Sequence, residues 1–254
     1  MEIPGALKGV TENFRRSEAP KPSRMVDVYN MTPEDNAALA RRVDTSGGEI
    51  DILVHPYYQE YISYSNDRSP LNPEYGIGRE LLLRGQANPN GKPLVVFEER
   101  RNIPILEQKL RGYGGTFYFV PTFNDDPTPN TGDDYTGWKA HGEQSWKNLA
   151  QIFEGVGIRH AIISGKLLWI ISYEEAIKGD ESQLIKLPEL VRAAEDKPNA
   201  RAWYADGIIP KGCVGGTGSN LLRRGFDVSF SRITSASDPA QEKRRVQYFA
   251  VESL

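Results

Sequence analysis

A three-layer α/β domain with a mainly parallel sheet is the fold that this sequence predicts, and three observations predict it. After Gly47-Gly48, short apolar runs alternate with amphipathic stretches, the pattern of a chain that crosses a sheet and returns along a helix. The runs are compact and rich in Val, Ile, Leu and Phe, as strands covered on both faces are. A chain of 254 residues, 39% hydrophobic and 10% aromatic, is long enough to bury one large core.

Taken in order, residues 1–48 read as a polar N-terminal extension with one short helix. Thr32 is its N-cap, Pro33 its first helical residue, and Glu34 and Asp35 its acidic first turn. Its apolar face is small, which places it at the domain edge or against another subunit. Residues 49–254 then form a single domain. Its strands are expected at 50–55, 92–98, 115–121 and 159–164, with helices at 74–84, 105–111 and 145–156 between them. A turn-rich acidic loop, Asn124 to Asp134, separates the third strand from the last of these helices. Residues 173–200 interrupt the rhythm as an insertion, either a lid or subunit contact or simple packing on the domain side. Within and after it, 183–195 is helical and 202–205 returns as a strand. The stretch from Gly207 to Gly225 is a glycine-rich turn and a short helix, and Asp227 to Arg232 is the last strand. In parallel sheets the functional crevice lies at the carboxyl ends of the strands. The segments after the first, third and fourth strands and the turn around Cys213 should therefore meet.

Charge and composition exclude several classes of function. The formal charge is −3 with both signs interspersed, so no basic patch announces nucleic acid and no cationic amphipathic run announces a membrane surface. No apolar run approaches a membrane span. The single cysteine excludes an internal disulfide framework, and Met-Glu-Ile-Pro-Gly lacks the basic and apolar regions of a signal peptide. The expectation is a cytoplasmic protein acting on a small molecule, with no nucleic acid or membrane partner and no cofactor.

That cysteine is Cys213, at the mouth of the expected helix. Unpaired N–H groups and the positive end of the helix macrodipole favour thiolate over thiol there, and the same N–H groups suit a developing oxyanion. The other reading is equally physical: a free cysteine is commonly a small buried apolar residue. His55, closing the first strand, is either a base for a Cys–His pair or a hydrogen-bonded structural histidine. Tyr57, Tyr58 and Trp138 fall in loops beside the expected crevice, where they line a pocket for a flat or cyclic molecule or serve as core and dimer contacts. No metal site is expected, because His141 and His160 are scattered and the Asp125-Asp126 and Asp133-Asp134 pairs suit turn capping.

The spacing around Cys213 resembles a known family. Cys213-Val214, Thr217, Arg224-Gly-Phe-Asp-Val228 and Ala236-Ser237 are similar to the cysteine, helix and strand signature of the isochorismatase-like cysteine hydrolases, which include nicotinamidases and N-carbamoyl amidohydrolases. Lys139, Ser145-Trp146, Gly157-Ile158 and Ala161-Ile-Ile-Ser-Gly165 follow the order of that family's preceding segment. The resemblance implies a Rossmann-like domain, hydrolysis of a C–N amide-type bond through a Cys213 thiolate, Lys139 beside it, and a homo-oligomer. It also implies an oxyanion-binding turn at Ile209, Pro210 and Gly212, with a cis bond at Ile209-Pro210. One element departs from the family: His55 stands where the family has its acidic residue. That departure leaves open an altered enzyme or an inactive protein that keeps the fold as a structural or ligand-binding module. A third reading takes Gly215 to Ser219 as a glycine-rich loop that cradles phosphate or nucleotide, without the Lys-Ser/Thr of a P-loop.

Overall fold

Six strands, every neighbouring pair parallel, form the centre of the molecule. The computed structural model describes residues 23–56, 88, 90–111, 113–122, 142–165, 169–172, 181–204 and 208–235. The strands of this sheet are β1 (Arg24–Asp27), β2 (Glu49–Val54), β3 (Leu94–Glu98), β4 (Thr116–Pro121), β5 (His160–Gly165) and, at the far edge, β8 (Asp227–Ser235). Their spatial order is β1-β4-β3-β2-β5-β8. The chain thus steps outward from β2 through β3 and β4 on one side, then returns to place β5 and β8 on the other. The reversal between β2 and β5 is a topological switch point, where a crevice opens at the carboxyl ends of the strands.

Alternation along the strands sorts their side chains into two cores. Ile50, Ile52 and Val54 of β2, Val95 and Phe97 of β3, and Ala161 and Ile163 of β5 belong to one buried cluster. Helices α1 (Pro33–Thr45), α3 (Gly142–Gly155) and α6 (Gly212–Leu222) contribute Leu39 and Val43, Trp146 and Phe153, and Val214 and Leu221 to it. Leu53, Leu94, Val96, Phe117 and Phe119 face the other way, where they pack with Leu106 of α2 (Ile103–Lys109) and with Leu110 and Tyr113. Helices on both faces of a parallel sheet make this a three-layer Rossmann-like α/β fold.

The expected boundary at residue 48 falls inside this architecture. β1 is the edge strand beside β4, and α1 is part of a helical layer, with Leu39 fully buried and Val43 1% exposed. Arg42 completes the attachment. Its guanidinium donates to the carbonyls of Gly91 at 3.0 Å, Thr116 at 2.6 Å and Lys92 at 3.2 Å, and lies over the Tyr118 ring. The start of α1 is as its sequence predicts, with a reciprocal capping box between Thr32 and Asp35 and Pro33 as first residue. Thr32→Ala removes that cap and should lower unfolding free energy by about 1 kcal/mol in urea denaturation.

The insertion folds as α4 (Glu181–Ala194) and α5 (Pro198–Tyr204), and α5 packs on β8. Trp203 and Phe230 meet edge to face at 5.1 Å, and Asp227 accepts hydrogen bonds from the N–H groups of Asn199 and Ala200 at the start of α5. The strand expected at 202–205 is therefore corrected: Ala202, Trp203 and Tyr204 end a helix, because ring packing on Phe230 outweighs the strand preference of two aromatics. A pair of short antiparallel strands, β6 (Trp169–Ser172) and β7 (Ile208–Lys211), forms a second small sheet that leads into α6.

Candidate functional site

Cys213 lies in the first turn of α6, as its surroundings predict, and α6 runs from Gly212 to Leu222. Gly212 has φ +81°, a left-handed conformation that turns the chain from β7 into the helix. The turn is tightly built. A Cβ on Gly215 would overlap the carbonyl group of Pro210, so the helix backbone sits directly on the strand before it. No peptide bond among the described residues is cis, which corrects the expectation at Ile209-Pro210: that bond is trans and lies within β7, paired with β6. The Gly215 to Ser219 segment is helix and not loop, and a Cβ on Gly218 would strike the Phe230 ring. Gly215 and Gly218 thus serve close packing of the helix.

The helix mouth adjoins the switch point. A Cβ on Gly165, at the end of β5, would strike the Val54 carbonyl oxygen at the end of β2 and lie 3.0 Å from Val214 Cγ2. Residues 54, 165 and 214 thus share one spot. His55 is the next residue after the first of them and Cys213 the residue before the last. Cys213 is 7% exposed and belongs to the larger apolar cluster.

His55 adopts φ +46°, unlike any other non-glycine residue among those described. Such backbone costs on the order of 1–3 kcal/mol and persists only where its surroundings hold it. Here its N–H donates to the Phe97 carbonyl at 2.7 Å, which extends the ladder between β2 and β3 by one residue. Burial pushes the imidazole pKa down to about 4, against the opposing pull of the Glu99 carboxylate nearby. The shift makes His55 a weaker base than an ordinary histidine.

That shift makes a prediction about stability. The unfolded chain takes up the proton near pH 6.5, while the folded protein refuses it until about pH 4. Stability is therefore complete above pH 6.5 and falls as pH drops through the window down to 4, by on the order of 2–3 kcal/mol. His55→Gln should flatten this part of the profile in chemical denaturation. Glu49, whose carboxyl is held below its ordinary 4.5 chiefly by a hydrogen bond from Lys92, loses its own contribution only at lower pH.

Two carboxylates that sequence reasoning passed over stand at the end of β3. Glu98 and Glu99 are both fully buried. Glu98 Oε1 accepts from the Glu99 N–H at 2.9 Å and from Asn102 Nδ2 at 3.1 Å, and Glu99 Oε2 pairs with Arg101 Nε. The available signal was position alone, two glutamates closing an apolar run at the carboxyl edge of a parallel sheet.

Asp51 takes no part in this corner. It lies four residues before His55, about 13 Å along the strand, and its Oδ1 is 3.9 Å from Lys92 Nζ. His160 sits at the same amino edge, between Glu49 at 3.2 Å and Ser229 at 3.0 Å. Among the described residues no group of three His, Cys, Asp or Glu side chains is placed to hold a metal ion, and no helix is long and apolar enough to cross a membrane. Lys139, Tyr57, Tyr58 and Trp138 lie outside the described residues. Comparison with known protein families, curated proteins and solved structures finds no match for this chain.

Proposed function

We propose that the protein is a cysteine hydrolase of the isochorismatase-like type, cleaving a C–N amide-type bond in a small molecule through Cys213. One observation carries the reading: the single cysteine stands in the first turn of a helix at the switch point of a parallel sheet, one residue before Val214, which shares the spot where Val54, the residue before the strained His55, ends β2. First-turn N–H groups favour thiolate and can hold an oxyanion.

The chemistry follows in two halves. The Cys213 sulfur attacks the carbonyl carbon as its proton passes to the uncharged His55 imidazole, which needs no prior ionisation to accept it. The tetrahedral intermediate collapses with the C–N bond broken, and the nitrogen leaves with that proton, giving a thioester. Water then attacks the thioester carbon, one of its protons passes through the same base to the sulfur, and the acid is released. Lys139 is the further residue that the resemblance assigns beside the thiol, and a homo-oligomer is the assembly it implies.

A second reading is favoured by the burial of Cys213. A cysteine buried to 7% exposure within an apolar cluster is also what a structural core residue looks like, in a non-catalytic protein that keeps this fold as a structural or ligand-binding module. Incubation with a panel of small primary amides, ureas and cyclic amides, followed by intact mass measurement, separates the two. The hydrolase reading expects an acyl adduct on Cys213 and release of ammonia or amine equal to the acid formed. Hydrolysis that persists in Cys213→Ala, or a Cys213 that acquires acyl mass from none of the panel, contradicts it.

A further inference from the structure

Three side chains at the amino edge of the sheet, the end away from Cys213, have the connectivity of a nucleophile, a base and an orienting acid. Glu49, His160 and Ser229 come from the neighbouring strands β2, β5 and β8. Register brings them together: Glu49 lies opposite His160, His160 lies opposite Asp227, and Ser229 is two residues further along β8, on the same face as Asp227. His160 Nδ1 is 3.2 Å from Glu49 Oε1, and His160 Nε2 is 3.0 Å from Ser229 Oγ. Lys92 Nζ, 2.9 Å from Glu49 Oε2, holds the carboxylate by its other oxygen and keeps the carboxyl below its ordinary range.

This charge fixes the tautomer. An ionised carboxylate only accepts hydrogen bonds, so Nδ1 carries the ring proton and donates it to Glu49. In the neutral ring Nε2 is then an acceptor, and Ser229 Oγ–H donates to it. A hydroxyl held against an oriented imidazole is the arrangement that activates serine. The His160 side chain is 15% exposed and Ser229 is half-buried, so water is partly excluded while the hydroxyl is not sealed in the core.

We propose that Ser229, His160 and Glu49 form a second acyl-transfer site, separate from Cys213, which acts on carboxylic esters with good leaving groups such as phenols. The two sites lie at opposite ends of the sheet: β5 alone puts about 16 Å between His160 and Gly165, the residue beside Val214. Ser229 Oγ attacks the ester carbonyl carbon as its proton passes to His160 Nε2. The tetrahedral intermediate collapses with the C–O bond to the phenol broken, the phenol leaves with that proton, and an acyl-serine remains. Water attacks the acyl carbon and gives a proton to the same nitrogen, and that proton returns to Ser229 Oγ as the carboxylic acid is released. Glu49 takes no proton; its charge balances the imidazolium. A phenol needs little help to leave, which suits a site whose assistance comes from one imidazole.

The test uses diisopropyl fluorophosphate, which phosphorylates an activated serine with loss of fluoride, and para-nitrophenyl acetate, which acetylates it. Intact mass and peptide mapping count adducts on Ser229 and Cys213 separately. Native protein is expected to carry the phosphoryl or acetyl group on Ser229, and the urea-unfolded chain to carry neither there. His160→Gln should slow modification of Ser229 by about 100-fold or more, and Glu49→Gln by about tenfold or more. A Ser229 that takes up neither group, or that reacts equally fast in His160→Gln, overturns the proposal and leaves a cross-strand hydrogen-bond network. If these variants do not fold, the wild type decides: equal modification of Ser229 in native and unfolded protein is incompatible with an activated hydroxyl. Neither outcome bears on Cys213, whose own adducts are read apart.

Discussion

On the proposed hydrolase reading, Cys213→Ala should yield a folded protein whose amide hydrolysis is lower by about 10⁴-fold or more, the loss that follows when a covalent nucleophile is removed and only binding and oxyanion contacts remain. The fold should survive because the change deletes a single sulfur at the mouth of α6, while Val214, Leu221 and Leu222 on that helix stay fully buried. A cost of about 1–2 kcal/mol is the scale for so small a truncation in a core. The two readings of Cys213 therefore predict opposite profiles. A nucleophile gives a large kinetic effect with a small change in stability; a core cysteine gives only the change in stability. Steady-state kinetics and urea denaturation on one protein preparation distinguish them.

Gly215→Ala should destabilise the protein by about 2 kcal/mol or more, while Gly216→Ala, one residue on, should stabilise it by up to about 1 kcal/mol. Both glycines lie inside α6, where alanine is the better helix former. The surroundings reverse the sign at the first. A methyl on Gly215 would overlap the Pro210 carbonyl, which is backbone and cannot swing aside, whereas a methyl on Gly216 would meet nothing within 4 Å. Overpacking outweighs propensity, and relief of the clash requires α6 to move off β7, taking the Cys213 turn with it. Gly215→Ala should accordingly slow alkylation of Cys213 as well. Equal effects of the two substitutions in thermal denaturation would mean that the helix does not sit on the strand in this way.

The parallel sheet was legible because strands buried on both faces are written as compact apolar runs. β2, β3, β4 and β5 lie within one or two residues of where those runs place them. β1 was hidden for the converse reason: Arg24-Met-Val-Asp27 is four residues long with a charge at each end, and its identity as a strand comes from its partner β4. Short β6 and β7 are likewise defined by each other. In the candidate site, the uniqueness of Cys213 and the strand-end place of His55 were visible in the chain. The character of His55 was not, since its depressed basicity comes from burial, which only the folded chain supplies. Glu98 and Glu99 escaped notice because a glutamate after a strand ordinarily meets solvent, and only the packed sheet encloses both. Lys139 and the expected aromatic pocket of Tyr57, Tyr58 and Trp138 remain proposals from sequence.

The central claim is that Cys213 is a reactive thiol at the mouth of α6, and the rate of its alkylation tests this most directly. At pH 6–7 an ordinary thiol, with pKa near 8.5, is about 1% thiolate. A helix N-terminus that lowers that pKa by one to two units raises the reactive fraction by about tenfold or more. Iodoacetamide at pH 6.5, with quenched samples read by mass spectrometry, should therefore modify native Cys213 at least about ten times faster than the same residue in the urea-unfolded chain after correction for urea. A native thiol that reacts more slowly than the unfolded one would show a cysteine shut in the core and would contradict the account.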